Sequence, residues 1–152
     1  MQYTQVMNSK TDESFGVIPV YKNEEGKFEI LVIHQYSHIG DNSYWVFPKG
    51  HSEKGEIETE TALRELKEET DITEIDLKTE ESFKMRYNFI HEGNRIDKTV
   101  TFFVGFVPHK YAKGDESEVR ELVWLSPKEV RKKLTHENTK KLFDKVCKYI
   151  DG

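Results

Sequence analysis

The sequence predicts a single α/β domain over residues 1–152, with a mixed sheet and helices on its faces. Three observations carry that expectation: β-branched and aromatic runs that recur around short turns, an amphipathic helix in mid-chain, and a helix-start signature near the end.

Phe15 to Tyr21 and Phe28 to Ile33 flank Lys22-Asn23-Glu24-Glu25-Gly26-Lys27, the pattern of two strands joined by a hairpin loop. A short strand is expected at Tyr44 to Phe47. It should stop at Pro48-Lys49-Gly50-His51, where Pro and Gly open a loop that runs to about Gly55. From Glu58 to Thr70, Ala62, Leu63 and Leu66 recur at helical spacing among charged residues, so one amphipathic helix should pack there on the sheet. Further strands are expected at Phe83 to Ile90, Lys98 to Val107 and Val119 to Leu125, the first two joined by a turn at His91-Glu92-Gly93-Asn94. Ser126-Pro127-Lys128-Glu129 supplies a cap, a proline at the first helical position and a glutamate three residues after the cap. Leu142, Phe143, Val146, Tyr149 and Ile150 then form the apolar stripe of a last helix.

Composition excludes several classes of function. A net charge of −5 argues against a stable nucleic-acid partner, because non-specific affinity for a phosphate backbone comes from excess Lys and Arg. The first fifteen residues lack the basic start and apolar core of a leader, and no later apolar run approaches bilayer length, so no membrane association is expected. With one cysteine, Cys147, the chain can form neither an internal disulfide framework nor a cysteine metal cage, which fits a reducing cytoplasm.

The informative stretch is Gly50-His51-Ser52-Glu53-Lys54-Gly55-Glu56, followed after seven residues by Arg64-Glu65-Leu66-Lys67-Glu68-Glu69-Thr70-Asp71-Ile72. On a helix Glu65, Glu68 and Glu69 stand at i, i+3 and i+4 and converge, and each such like-charged pair costs about 0.2–0.5 kcal/mol. A glutamate-rich helix face is ordinarily just solvated. Here Arg64 lies inside the cluster, a glycine loop precedes it and Glu56 ends that loop, which favours a site for a hard divalent cation with oxygen ligands.

Gly50, Glu56, Arg64, Glu65, Leu66, Glu68, Glu69 and Ile72 resemble the Nudix box position by position. One position departs: the family has Gly where this chain has Asp71. That place after the helix calls for a left-handed residue, which Asp tolerates, so intact chemistry and a small stability cost are expected. The resemblance implies the Nudix fold, a mixed β-sheet sandwiched between α-helices with a loop-helix-loop catalytic motif. It implies Mg²⁺ or Mn²⁺ held by Glu65, Glu68, Glu69 and the carbonyl of Gly50, and hydrolysis of a diphosphate by water attacking phosphorus. The general base is then either Glu69 or a carboxylate outside the box, for which Glu118, six residues before Trp124, resembles the family pattern; Glu116 and Glu121 are close enough to compete for that role. Arg64 is expected to orient Glu65 or Glu68 by charge-assisted hydrogen bonds, and Glu56 to pin the loop.

Tyr44-Trp45-Val46-Phe47-Pro48-Lys49-Gly50-His51 further resembles the entry to the box in the asymmetric diadenosine tetraphosphate hydrolase branch, as do Phe83-Lys84, Tyr87-Asn88-Phe89 and Lys98-Thr99-Val100. On that resemblance Lys49, His51 and Lys98 contact the additional phosphates, and Tyr87 or Phe89 stacks on an adenine. His136 and Phe143 on the last helix could close the far side of a base pocket, but an apolar stripe at helical spacing is more simply read as core. The implied partner is a small nucleotide, with hydrolysis of diadenosine tetraphosphate to ATP and AMP as the first expectation. A triphosphorylated RNA 5′ end, a nucleotide sugar, an inositol pyrophosphate, or a sensor domain that binds a nucleotide without cutting it are the alternatives.

Overall fold

Alternation along three strands decides the architecture. Phe15, Val17, Leu31 and Phe103 turn to one side of the sheet and pack with Ala62, Leu66 and Ile72, while Ile18, Val20, Ile30, Val32, Phe102 and Val104 turn to the other and pack with Val130, Leu134, Leu142, Phe143 and Val146. Each apolar set therefore has its own helical layer, and the mixed sheet lies between them.

These relations come from a computed structural model that describes residues 8–36 and 42–152. The expectation about the first fifteen residues, like the assignment of 1–152 as one domain, falls partly outside the described residues. Among those described, the strands are β1 (Ser9–Lys22), β2 (Phe28–Tyr36), β3 (Ser43–Val46), β4 (Lys49–Gly50), β5 (Asp76–Leu77), β6 (Phe83–His91), β7 (Asn94–Phe106) and β8 (Val119–Leu125). The helices are α1 (Glu58–Thr70), α2 (Pro127–Lys133) and α3 (Glu137–Asp151). None is long and apolar enough to cross a membrane.

β1 and β7 run parallel in the middle of the sheet, with Asp12 opposite Lys98 and Gly16 opposite Phe102. The other pairings are antiparallel: β1 pairs with β2 at its C-terminal end and with β4 at its middle, β2 also pairs with β3 and β8, and β7 also pairs with β5 and β6. The β6–β7 turn places Glu92 and Gly93 at φ 49° and 76°, the left-handed pair that suits a two-residue hairpin.

The described structure departs from the sequence reading in four places. β1 begins at Ser9, well before Phe15, and β7 at Asn94, before Lys98, because the polar first half of each strand pairs with the other, Ser9 to Ser14 lying opposite Arg95 to Val100. Lys49–Gly50 is a short strand and not yet loop, since Phe15 and Gly16 offer it a free edge. β5 escapes detection because two residues carry no periodicity. Leu63, expected in the buried stripe of α1, is 37% exposed: Ala62 and Leu66 face the sheet, and Leu63 falls at the edge of their stripe.

Candidate functional site

α1 starts where Glu60 accepts a hydrogen bond from the main-chain N–H of Ile57 (3.1 Å) and ends at Asp71, whose N–H bonds to the Lys67 carbonyl (2.9 Å). Asp71 has φ 59°, the left-handed conformation that its position demands. Its carboxylate accepts a hydrogen bond from the Tyr111 hydroxyl (3.0 Å), an interaction glycine could not make.

Gly50 lies against α1 so closely that a Cβ on it would occupy the space of the Glu65 carboxylate. Only glycine lets this backbone and this side chain share the place.

Arg64 is the hub of the loop and helix. Its Nε and Nη2 bind the two oxygens of Glu56 (2.6 and 3.0 Å), Nη1 binds Glu65 (3.0 Å) and Glu68 (3.2 Å), and Nη2 also reaches the carbonyl of His51 (2.7 Å). Glu56 in turn accepts from the Glu53 N–H (2.7 Å) and the Thr61 hydroxyl (3.0 Å). The guanidinium draws the pKa of Glu56 down to about 2, and the surrounding carboxylates raise that of Arg64. Arg64 thus relieves part of the repulsion within the glutamate cluster.

Glu69 has a different environment. It is 2% exposed and accepts the Lys49 main-chain N–H (3.0 Å) and the Gln35 amide (3.1 Å). Burial, and then the charge of Glu65, push its pKa up to about 8. Burial also raises that of Glu65. Glu118, just before β8, is near enough for its charge to raise both. Glu121 faces His34 at 3.9 Å, and Glu116 is exposed.

Among the described residues no three acidic or imidazole side chains form a ready metal cage. Mg²⁺ needs no such cage, since it binds through one or two carboxylates and keeps water or substrate phosphate in its other positions. The juxtaposed Gly50 backbone and Glu65 carboxylate, flanked by Glu68 and Glu69, make an oxygen donor set that fits a hard cation.

Beside this centre lies a cleft of about 390 Å³ lined by Gln35, Tyr44, Val46, Lys49, Tyr87, His136 and others. Lys49 takes part in both regions: its main chain binds Glu69, the residue also lines the cleft, where its charge acts on His136, and burial lowers its pKa. Tyr87 lines the cleft, and Phe89 lies on the same face of β6 with ring centroids 6.1 Å apart. Phe143 is fully buried against Phe47 in the core. His136, read from the sequence as core, instead lines the cleft and leans on Tyr44 with centroids 5.0 Å apart. The loop before α3 carries it there because Thr135 and Trp45 exchange hydrogen bonds of 2.8 and 3.2 Å.

Lys98 is 6% exposed, with Nζ at 2.7 Å from Asp12, 2.6 Å from Ser14 and 3.2 Å from the His51 ring. Sequence reasoning missed Asp12, Ser14, Gln35 and Tyr44. The first two sit in the half of β1 that carries no apolar signal, and polar residues contributed singly by separate strands leave no motif.

Comparison with known proteins agrees with this geometry. The model of the NUDIX domain matches residues 10–146. The asymmetrical bis(5′-nucleosyl)-tetraphosphatase of Mus musculus is 34% identical over 91 residues, 60% of this chain and 57% of that protein. The enzyme of the same name from Caenorhabditis elegans is 41% identical over 58 residues, 38% of this chain and 40% of that protein. The chain spans about half the length of the curated relatives it matches. Among solved structures, a C. elegans Ap4A hydrolase binary complex superposes with a TM-score of 0.74 at 23% identity, over 93% of this chain and 98% of the other. The NUDIX domain of Shewanella oneidensis NrtR, complexed with ADP ribose, gives 0.71 at 12% identity, over 93% and 89%. At these identities the superpositions speak for the fold.

Proposed function

The chain belongs to the Nudix family, and we propose that it is a divalent-cation-dependent pyrophosphohydrolase that cuts diadenosine tetraphosphate to ATP and AMP by attack of water on phosphorus. The observation that carries this reading is the double engagement of Lys49, which ties the buried Glu69 to a cleft of nucleotide size lined by Tyr44, Tyr87 and His136. A polyphosphate bound across Lys49 would present its anhydride to the box while its base occupies the cleft.

Glu65, Glu68 and Glu69, with the Gly50 carbonyl and Glu118, would hold Mg²⁺ or Mn²⁺, which when bound neutralises diphosphate charge and lowers the pKa of water. Glu118 takes the proton of the attacking water. Each oxygen of Glu69 accepts one donor, from Lys49 or Gln35, which ties the carboxylate down but leaves lone pairs for a cation, whereas Glu118 is partly exposed and electrostatically coupled to Glu65 and Glu69. Arg64 holds Glu65 and Glu68 in place, and Glu56 fixes Arg64. Lys49 supplies positive charge and His51 a polar contact along the phosphate chain, and Tyr87, continued by Phe89, offers a stacking surface for a base. The partner is a small nucleotide, and the single cysteine suits a cytoplasmic location.

The test is incubation with Mg²⁺ and a panel of dinucleoside polyphosphates, triphosphorylated RNA, nucleotide sugars and nucleoside triphosphates, with products identified by mass. ATP and AMP from the tetraphosphate support the narrow reading. Rapid cleavage of another member with none of the tetraphosphate assigns the site to that substrate instead.

A further inference from the structure

The family resemblance implied that Lys98 meets phosphate, yet the structure surrounds its ammonium group with protein neighbours. The ammonium donates to Asp12 at 2.7 Å and to Ser14 at 2.6 Å, and the His51 Nε2 stands 3.2 Å from Nζ; that nitrogen either accepts from Lys98 or donates to Asp12, and it is the Nε2–H donated to Asp12 that ties the ring to the carboxylate. Asp12 also reaches the His51 ring nitrogen directly, at 2.9 Å through Oδ1 and 3.1 Å through Oδ2. His51 itself is largely exposed, with 65% of its side chain open to solvent.

We propose that Asp12 is a positioning residue for polyphosphate length: with Lys98 as its buried counter-ion, it fixes the His51 ring so that this imidazole, and not Lys98, meets a phosphate beyond the first two. Three features support the assignment. Asp12 stands opposite Lys98 in the parallel β1–β7 register, so the pair is set by the sheet and not by a mobile loop. The His51 carbonyl accepts from Arg64 at 2.7 Å, so the residue held by Asp12 on its side chain is held by the catalytic loop on its main chain. The charges of Asp12 and Lys98 both act on Lys49, and that of Asp12 also on Tyr87, which places the pair beside the cleft lining. Lys98 is buried and its one carboxylate partner among the described contacts is Asp12, so removing Asp12 leaves that ammonium without its counter-ion.

The inference rests on the polyphosphate reading above but can be tested without turnover. Inorganic pyrophosphate and tripolyphosphate are titrated by calorimetry into wild type, Asp12→Asn, His51→Gln and the double variant in Mg²⁺ buffer, with the ions checked for cleavage afterwards. The wild type should bind tripolyphosphate at least tenfold more tightly than pyrophosphate. Each single variant should lose most of that ratio, and the double variant no more than either single one, because both changes remove the same contact. Lys98→Met should behave as Asp12→Asn does, which keeps the test open if one variant folds poorly. Additive losses, equal weakening for both ions, or no length preference in the wild type would overturn the role of Asp12. Failure of the proposed activity would show separately, as absence of dinucleotide cleavage by a wild type that still discriminates between the two ions.

Discussion

Arg64 grips Glu56 through two parallel hydrogen bonds, Nε to Oε2 at 2.6 Å and Nη2 to Oε1 at 3.0 Å, and its remaining donor edge holds Glu65 and Glu68. One planar group thereby orients two of the carboxylates assigned to the cation. Lysine carries the same charge but lacks the fork. Arg64→Lys should therefore lower kcat or cation affinity by roughly 10–100-fold, the usual cost of losing a group that orients metal ligands. Steady-state kinetics over a Mg²⁺ series checks this, and wild-type behaviour would remove Arg64 from the site.

Glu56 offers a test that depends on pH. Its folded-state pKa, about 2, lies below the ordinary value of 4.5, so the stabilisation it provides is present above the unfolded pKa and is lost as pH falls toward 2. The Glu56 carboxyl should still be ionised at pH 3 by carbon NMR. Titration near 4.5 would mean that the Arg64 pairing does not persist in solution.

At Gly50 the packing against Glu65 leaves no room for a methyl group. Gly50→Ala must displace either the loop or the carboxylate, at a cost of about 1–3 kcal/mol from overpacking. Lower stability in urea and a severe loss of turnover are expected together; a fully active, equally stable variant would contradict the described contact.

Asp71 separates two contributions. Alanine at φ 59° should cost about 1–2 kcal/mol, whereas glycine removes the backbone strain and loses only the Tyr111 bond. Urea unfolding should therefore rank Asp71→Gly near wild type and Asp71→Ala clearly below both, with kcat little changed in the glycine variant.

Much of this was legible in the residues themselves. The helix from Glu58 to Thr70 follows from periodicity because it buries one face against the sheet, and the strand from Val119 to Leu125 follows from its apolar run, which packs on both layers through Leu122 and Trp124 on one side and Val123 and Leu125 on the other. The box was legible because its carboxylates, glycine and arginine lie on one loop and one helix, where spacing is geometry. The environment of those groups was not. Glu69 is buried because Gln35 from β2 and the Lys49 main chain close over it, and Lys98 is spoken for because parallel pairing brings Asp12 alongside across 86 residues of chain. His136 reaches the cleft through the Thr135–Trp45 bonds, a long-range contact that no helical stripe foretells.

In the proposed reaction the Glu65, Glu68 and Glu69 turn works on a diphosphate through a divalent cation. The most direct measurement is turnover of diadenosine tetraphosphate as Mg²⁺ is titrated into chelator-stripped protein, for wild type, Glu68→Gln and Glu69→Gln, each checked for folding by circular dichroism. We expect no turnover without cation, saturable activation of the wild type, and loss of nearly all activity in both folded variants. Cation-independent cleavage, or full activity with both glutamines in place, would contradict the account.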